Sequence, residues 1–312
     1  MTGAAAAAIA GAAAALCMLG CAHAPAAGRA PEIRFERTRT GHIVIPVDVD
    51  GRPGMLFVID TGASATVMTP RAIAQARLRP LGAVKGHAIG ASGAPTAAAA
   101  YRIGALRAGS IEHRDVPVFA AELDMLEDDR IAGVLGRDFL GRYRVEIDLR
   151  TGVMVLRDPA SEAPLPDGTR IGFRDLDEGL IGLEVSLDGS PPVRAVLDLG
   201  AQASIVNRRA AELAGVTLAP ATGATAMGVG GAAASLSPQR FERIQVGAAV
   251  VAGRTLYAGD LPVFASLGMA DGPAMIFGLD LLAPGVIAID YRRHLLVLPL
   301  QPRPAVSTSS RR

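Results

Sequence analysis

Phe57-Val58-Ile59-Asp60-Thr61-Gly62-Ala63-Ser64 runs from apolar residues into an acid and turns at once. The chain does the same 138 positions later, in Ala195-Val196-Leu197-Asp198-Leu199-Gly200-Ala201-Gln202. Strand burial holds each carboxylate close to its backbone, and each glycine lets the turn approach another segment closely. One Asp-x-Gly is an ordinary turn. Two, at matching places, point to an internal repeat.

Working outward, the repeat lengthens. Ile43–Val49 alternates before Asp50-Gly51, and Leu183–Leu187 alternates before Asp188-Gly189, again 138 positions apart. Asp-Gly between apolar strands signals a hairpin, because both turn positions want positive φ. Gly90, in Ala88-Ile89-Gly90-Ala91-Ser92-Gly93, matches Gly228, in Ala226-Met227-Gly228-Val229-Gly230-Gly231, at the same offset. Pro117-Val118-Phe119-Ala120 recurs as Pro262-Val263-Phe264-Ala265 at an offset of 145. Val134–Leu140 recurs as Ile276–Leu282, and Ile147-Asp148 as Ile289-Asp290, at 142. The landmarks keep their order, so they predict a duplicated, mostly β unit with an insertion in the second copy. Each copy carries one helix. Thr69 caps the first, with Pro70 at N1, through Arg71–Leu78. Asn207 opens the second, through Arg208–Ala214 to Gly215.

Composition narrows the function classes. Charge is balanced, with 31 Lys+Arg against 30 Asp+Glu, and Trp is absent, so nucleic acid is an unfavourable partner. The five His, at 23, 42, 87, 113 and 294, form no metal-binding spacing; no metal or other cofactor is expected. Residues 4–20 are apolar and too short for a permanent span. Met18-Leu19-Gly20-Cys21 resembles a bacterial lipobox, which implies cleavage before Cys21 and a lipid anchor on it. Cys17 then leaves with the signal, and no disulfide remains. The expected organisation is a signal peptide over 1–20, a tether over 21–40, lobes over 41–157 and 180–300, a linker over 158–179 and a disordered tail over 301–312. The expected location is the periplasmic side of the envelope, at the outer membrane.

Duplicated units pair most simply about a pseudo-two-fold axis, where equivalent residues meet. Asp60 and Asp198 would then share one site. Two carboxylates about 3 Å apart cannot both ionise cheaply, so the pair holds one proton. Such a pair can take a proton from water and give one to a carbonyl oxygen. Glu112, Asp115, the Glu127-Asp128-Asp129 run, Asp148 and Asp290 read as surface or turn residues.

Phe57–Ser64 resembles the hydrophobic–Asp-Thr-Gly-Ala-Ser motif of the retropepsin-like aspartic peptidases. Val134-Leu135-Gly136 and Ile276-Phe277-Gly278 resemble the segment that packs behind their catalytic loop. The resemblance implies an all-β protein of two β-barrel lobes, one active site between them, and an aspartic endopeptidase acting on peptide or protein substrates. It implies a monomer with Asp60 and Asp198 catalytic, supported by Thr61, Gly62, Ser64, Leu199, Gly200 and Gln202. Gly90, Gly93, Gly228, Gly230 and Gly231 fall where the family has flaps. Two positions depart from the pattern. Leu199 replaces the Thr that braces the two halves, and Gln202 replaces the Ser that bonds a catalytic carboxylate. A peptide-binding or assembly module without catalysis is the alternative on the same fold.

Overall fold

In the computed structural model, which describes residues 30–81, 87–88, 96–97, 99–123, 126, 128–218, 224–227 and 233–299, both Asp-Gly pairs form tight hairpin turns. Asp50 and Gly51 have φ of 48° and 80°, and Asp188 and Gly189 have 50° and 82°. Each aspartate Oδ1 then accepts a backbone N–H from a later strand, Ala105 for Asp50 and Arg243 for Asp188, both at 2.7 Å. Those donors are also 138 positions apart. The hairpin is thus tied to the second long hairpin of its own lobe.

Each lobe closes into a six-stranded barrel. In the N-terminal lobe the ring runs Ile43–Val49, Arg52–Ile59, Ile131–Leu135, Val67–Met68, Ile111–Ala120 and Ala100–Ala108, closed by Val49 against Leu106. In the C-terminal lobe it runs Ile181–Leu187, Val193–Leu197, Ala274–Phe277, Ile205–Val206, Ala249–Ala258 and Ala233–Val246, closed by Leu187 against Ile244. Closure leaves these strands no free edges. The alternating apolar residues point inward: Ile43, Ile45, Val47 and Val49 are fully buried, as are Ile181, Val185 and Leu187. The helices Pro70–Ala76 and Arg208–Leu213 are capped as their sequences require. Thr69 Oγ1 accepts from Ala72 N at 3.1 Å, and Asn207 Oδ1 from Ala210 N at 2.9 Å. Two further short helices, Arg137–Leu140 and Pro262–Ser266, were not expected.

A six-stranded antiparallel sheet joins the lobes, each giving half: Glu32–Arg34, Val153–Arg157 and Arg144–Asp148 from one, Val286–Asp290, Leu295–Leu298 and Thr169–Gly172 from the other. Arg144–Asp148 pairs with Val286–Asp290, placing Glu146 opposite Ala288. Those two residues are equivalent at the offset of 142, so the pseudo-two-fold axis passes through this pair. The interface carries buried charge. Arg144 Nη2 lies 2.8 Å from Glu146 Oε1, and Arg157 Nε donates to the same oxygen at 2.8 Å.

Two expectations are corrected. The stretches read as tether and linker contribute edge strands, Glu32–Arg34 and Thr169–Gly172. Arg144 Nη1 further fixes the linker by donating to Ala163 O at 2.7 Å. The recurring Pro-Val-Phe-Ala is also not a structural repeat. Pro117–Ala120 ends a strand, whereas Pro262–Ala265 lies in a helix. Phe119 lies opposite Val67, and Tyr257 opposite Ile205, so the true equivalent of Phe119 is Tyr257, still at 138. The insertion falls after that strand, in the stretch that holds the Pro262–Ser266 helix.

Candidate active site

The two Asp-x-Gly turns meet at the lobe seam. Each begins where a buried strand ends, held by a neighbouring strand: Asp60 N donates to Leu135 O at 3.2 Å, and Asp198 N to Phe277 O at 2.9 Å. Behind the turns, Arg137 N donates to Ala63 O at 2.8 Å and Leu279 N to Ala201 O at 2.9 Å. Gly136 and Gly278 make this fit possible. A Cβ on either would lie 2.6 Å from Ala65 O or 2.9 Å from Ala201 O.

Each carboxylate rests on the other lobe's glycine. A Cβ on Gly62 would fall 2.6 Å from Asp198 Cγ, and one on Gly200 would fall 2.5 Å from Asp60 Cγ. No side chain fits in either place, and the two acids sit within hydrogen-bond reach of each other. Gly62 N donates to Asp60 Oδ1 at 2.7 Å; Gly200 N and Ala201 N donate to Asp198 Oδ1 at 2.8 and 3.0 Å. Those bonds favour the charged forms, yet burial dominates and raises both carboxyls, Asp60 well above the usual range with Asp198's charge adding to the effect. Both residues keep partial solvent contact. Both carboxyls therefore give up their protons at a higher pH than isolated aspartates do.

The brace between the turns is one-sided. Thr61 Oγ1 donates to Leu197 O at 2.7 Å and accepts from Leu199 N at 3.0 Å. Leu199, fully buried, returns nothing from its side chain. Gln202 Nε2 donates to Gly200 O at 2.6 Å, not to a carboxylate. Ser64 meets the site through its backbone, whose carbonyl accepts from Asp138 N at 3.1 Å.

A model of the Aspartyl protease family matches residues 45–139 and 183–281, one stretch in each lobe and more than half of the chain together. The chain belongs to the aspartyl protease family. Among solved structures, a retropepsin-like aspartic protease from Rickettsia conorii is similar at 23% identity and a TM-score of 0.29, over 41% of this chain and 91% of that chain.

Sequence reading missed three residues of this aspartyl protease's site. Thr66 Oγ1 donates to Asp138 Oδ1 at 2.8 Å, and Ser204 Oγ to Asp280 Oδ1 at 2.6 Å, tying each turn to its backing segment. Thr66 and Ser204 stand 138 apart, so the repeat contained the signal. Arg137 reaches across the seam: Nε donates to Gly179 O at 3.1 Å, and the guanidinium lies 4.4 Å over the Tyr291 ring. Its counterpart is Leu279, so no repeat marks it. Gly90, Gly93, Gly228, Gly230, Gly231 and Cys21 lie outside the described residues. Among the described residues no group of three or more potential metal ligands occurs.

Proposed function

We propose that the protein is an aspartic endopeptidase in which Asp60 and Asp198 share one proton and activate a water. The observation that carries this reading is the mutual seating of each carboxylate on the other lobe's glycine, which gives the two acids hydrogen-bond reach. The ionised member takes a proton from water as its oxygen attacks the scissile carbonyl carbon. The protonated member gives its proton to the carbonyl oxygen. Collapse of the resulting diol then returns a proton to the pair, moves another to the leaving nitrogen and breaks the C–N bond. No covalent intermediate is required. The Thr61 brace supports this reading, because one hydroxyl ties the two turns together.

Asp60→Asn and Asp198→Asn, compared with wild type on a peptide library from pH 3 to 8, test the proposal. General acid–base catalysis accounts for about 10²- to 10⁴-fold in rate, so each variant should lose at least that range. A wild type as inert as both variants rejects catalysis and leaves peptide binding on the same fold, the reading that Leu199 and Gln202 motivate. Cleavage surviving in both variants rejects the pair. We further propose that Cys21 is lipidated and anchors the protein on the periplasmic side of the outer membrane. Fatty-acid labelling that persists in Cys21→Ser would reject that anchor.

A further inference from the structure

The two turns differ in what covers their glycine carbonyls. Gly62 and Gly200 are both partly exposed at the rim of the acid pair, each against the opposite carboxylate. Among the described residues nothing donates to Gly62 O, whereas Gln202 Nε2 holds Gly200 O at 2.6 Å. The Gln202 arm passes near Gly41 of the other lobe. Its Cγ lies 3.5 Å from where a Cβ on Gly41 would stand, and Gly41 is at φ +95°, a conformation that larger residues rarely adopt. The equivalent position, Ser64, has an arm too short to make the same bond.

An extended peptide laid across the pair presents a backbone N–H on either side of the bond to be cut. Each needs an acceptor, because a desolvated N–H without one costs free energy. The pseudo-two-fold offers two equivalent acceptors, and here Gln202 already occupies one lone pair of the Gly200 oxygen. Building on the endopeptidase reading, we propose that Gln202 is a specificity-determining residue: it competes for the Gly200 carbonyl, so that a bound peptide takes its backbone acceptor beside the acids chiefly from Gly62. The substrates favoured are peptides with no need for an N–H on the Gly200 side. Proline at that position, which has no N–H, carries no penalty there.

The test is an ester scan. In a peptide that the protein cleaves, the nearest N–H on each side of the scissile bond, leaving the scissile amide itself intact, is replaced in turn by an ester oxygen. In wild type one replacement should lower kcat/KM by about three- to tenfold, the worth of a hydrogen bond, and the other should leave it within about twofold. Gln202→Ala should make the silent position sensitive to the same degree and lower KM for the parent peptide. Equal sensitivity of both positions in wild type overturns the proposal. So does a profile unchanged in Gln202→Ala, including one accompanied by a lower melting temperature, which would make Gln202 a lobe brace only. The endopeptidase reading fails separately, through activity retained in Asp60→Asn. If wild type cuts nothing, the same series is read as affinity, with the same pattern expected.

Discussion

The two lobes share a skeleton but not a seam. Where they meet, the N-terminal lobe supplies Thr61, Arg137, Arg144 and Glu146. The equivalent positions of the C-terminal lobe hold Leu199, Leu279, Val286 and Ala288. A dimer of identical subunits must meet itself at its axis, so any charge there faces its own copy. Glu146 sits on this axis; two copies of it would oppose each other in a buried place. With Ala288 opposite, the single glutamate instead gathers Arg144 and Arg157. A tandem chain can place a donor on one side and its complement on the other. Gln202 is the reverse case, reaching from the C-terminal lobe toward Gly41.

The sharpest way to break this comparison is at the axis. Glu146→Ala leaves the Arg144 guanidinium, whose side chain is 2% exposed, without its carboxylate. Breaking a buried pair from one side typically costs about 3–5 kcal/mol, and urea denaturation at pH 7 should show a loss of that size. A loss below about 1 kcal/mol would mean the network is dispensable and the polarity of the N-terminal side incidental.

Next comes the brace. Thr61→Val removes both cross-seam bonds and leaves the Leu197 carbonyl and the Leu199 N–H unpaired in the interior. At about 1–3 kcal/mol for each orphaned buried group, the expected cost is about 2–6 kcal/mol, with a fall in activity as the acids lose registration. Leu199→Val deletes one methylene group and should cost no more than about 1.5 kcal/mol. Similar losses in the two variants would show that the brace is apolar packing after all.

Arg137→Leu writes the C-terminal lobe's own residue into the N-terminal position. It removes the bond to Gly179 O and the contact with the Tyr291 ring. These are worth about 1–3 kcal/mol together. Thermal unfolding should show that loss with the pH profile of activity unchanged, because Arg137 touches neither acid.

What could be read in the sequence follows from which features were duplicated. Asp50-Gly51 with Asp188-Gly189, and the two Asp-x-Gly turns, are backbone devices that demand particular residues, so both copies kept them and the barrels could be read. The edge strands could also have been read. Ile33-Arg34-Phe35 and Ile171-Gly172-Phe173 stand 138 apart, and Ile33 and Ile171 pack in the same way against Gly109 and Gly247. They were hidden by Pro- and Gly-rich surroundings, which suggest a tether. The Pro-Val-Phe-Ala match misled for the opposite reason. Four identical residues carry less information than the cross-strand register that places Tyr257 opposite Ile205. The seam could not be read at all, because its residues work through being different in the two copies.

The smallest effect concerns pH, and here the lobes differ again. His42 and His113 belong to the N-terminal lobe, and burial lowers both to about 4. His42 Nδ1 lies 2.8 Å from Thr40 Oγ1, and His113 Nε2 meets the Tyr143 hydroxyl. A histidine with a lowered folded pKa binds its proton more readily once unfolded. Stability is therefore complete above about pH 6.5 and is lost as pH falls toward 4. The acid pair has the opposite sign. Its raised carboxyls keep their protons to a higher pH in the folded state than in the unfolded chain, so their contribution is present in acid and lost as pH rises above the ordinary aspartate range. Between pH 7 and 5 the histidines should cost on the order of 1 kcal/mol each after allowance for solvent screening. His113→Phe, which keeps the ring packing against Phe139, should flatten that fall by about half. An Asp198→Asn variant should instead gain stability at pH 7 and none at pH 3. If His113→Phe leaves the acid limb unchanged, His113 does not carry its half of the loss.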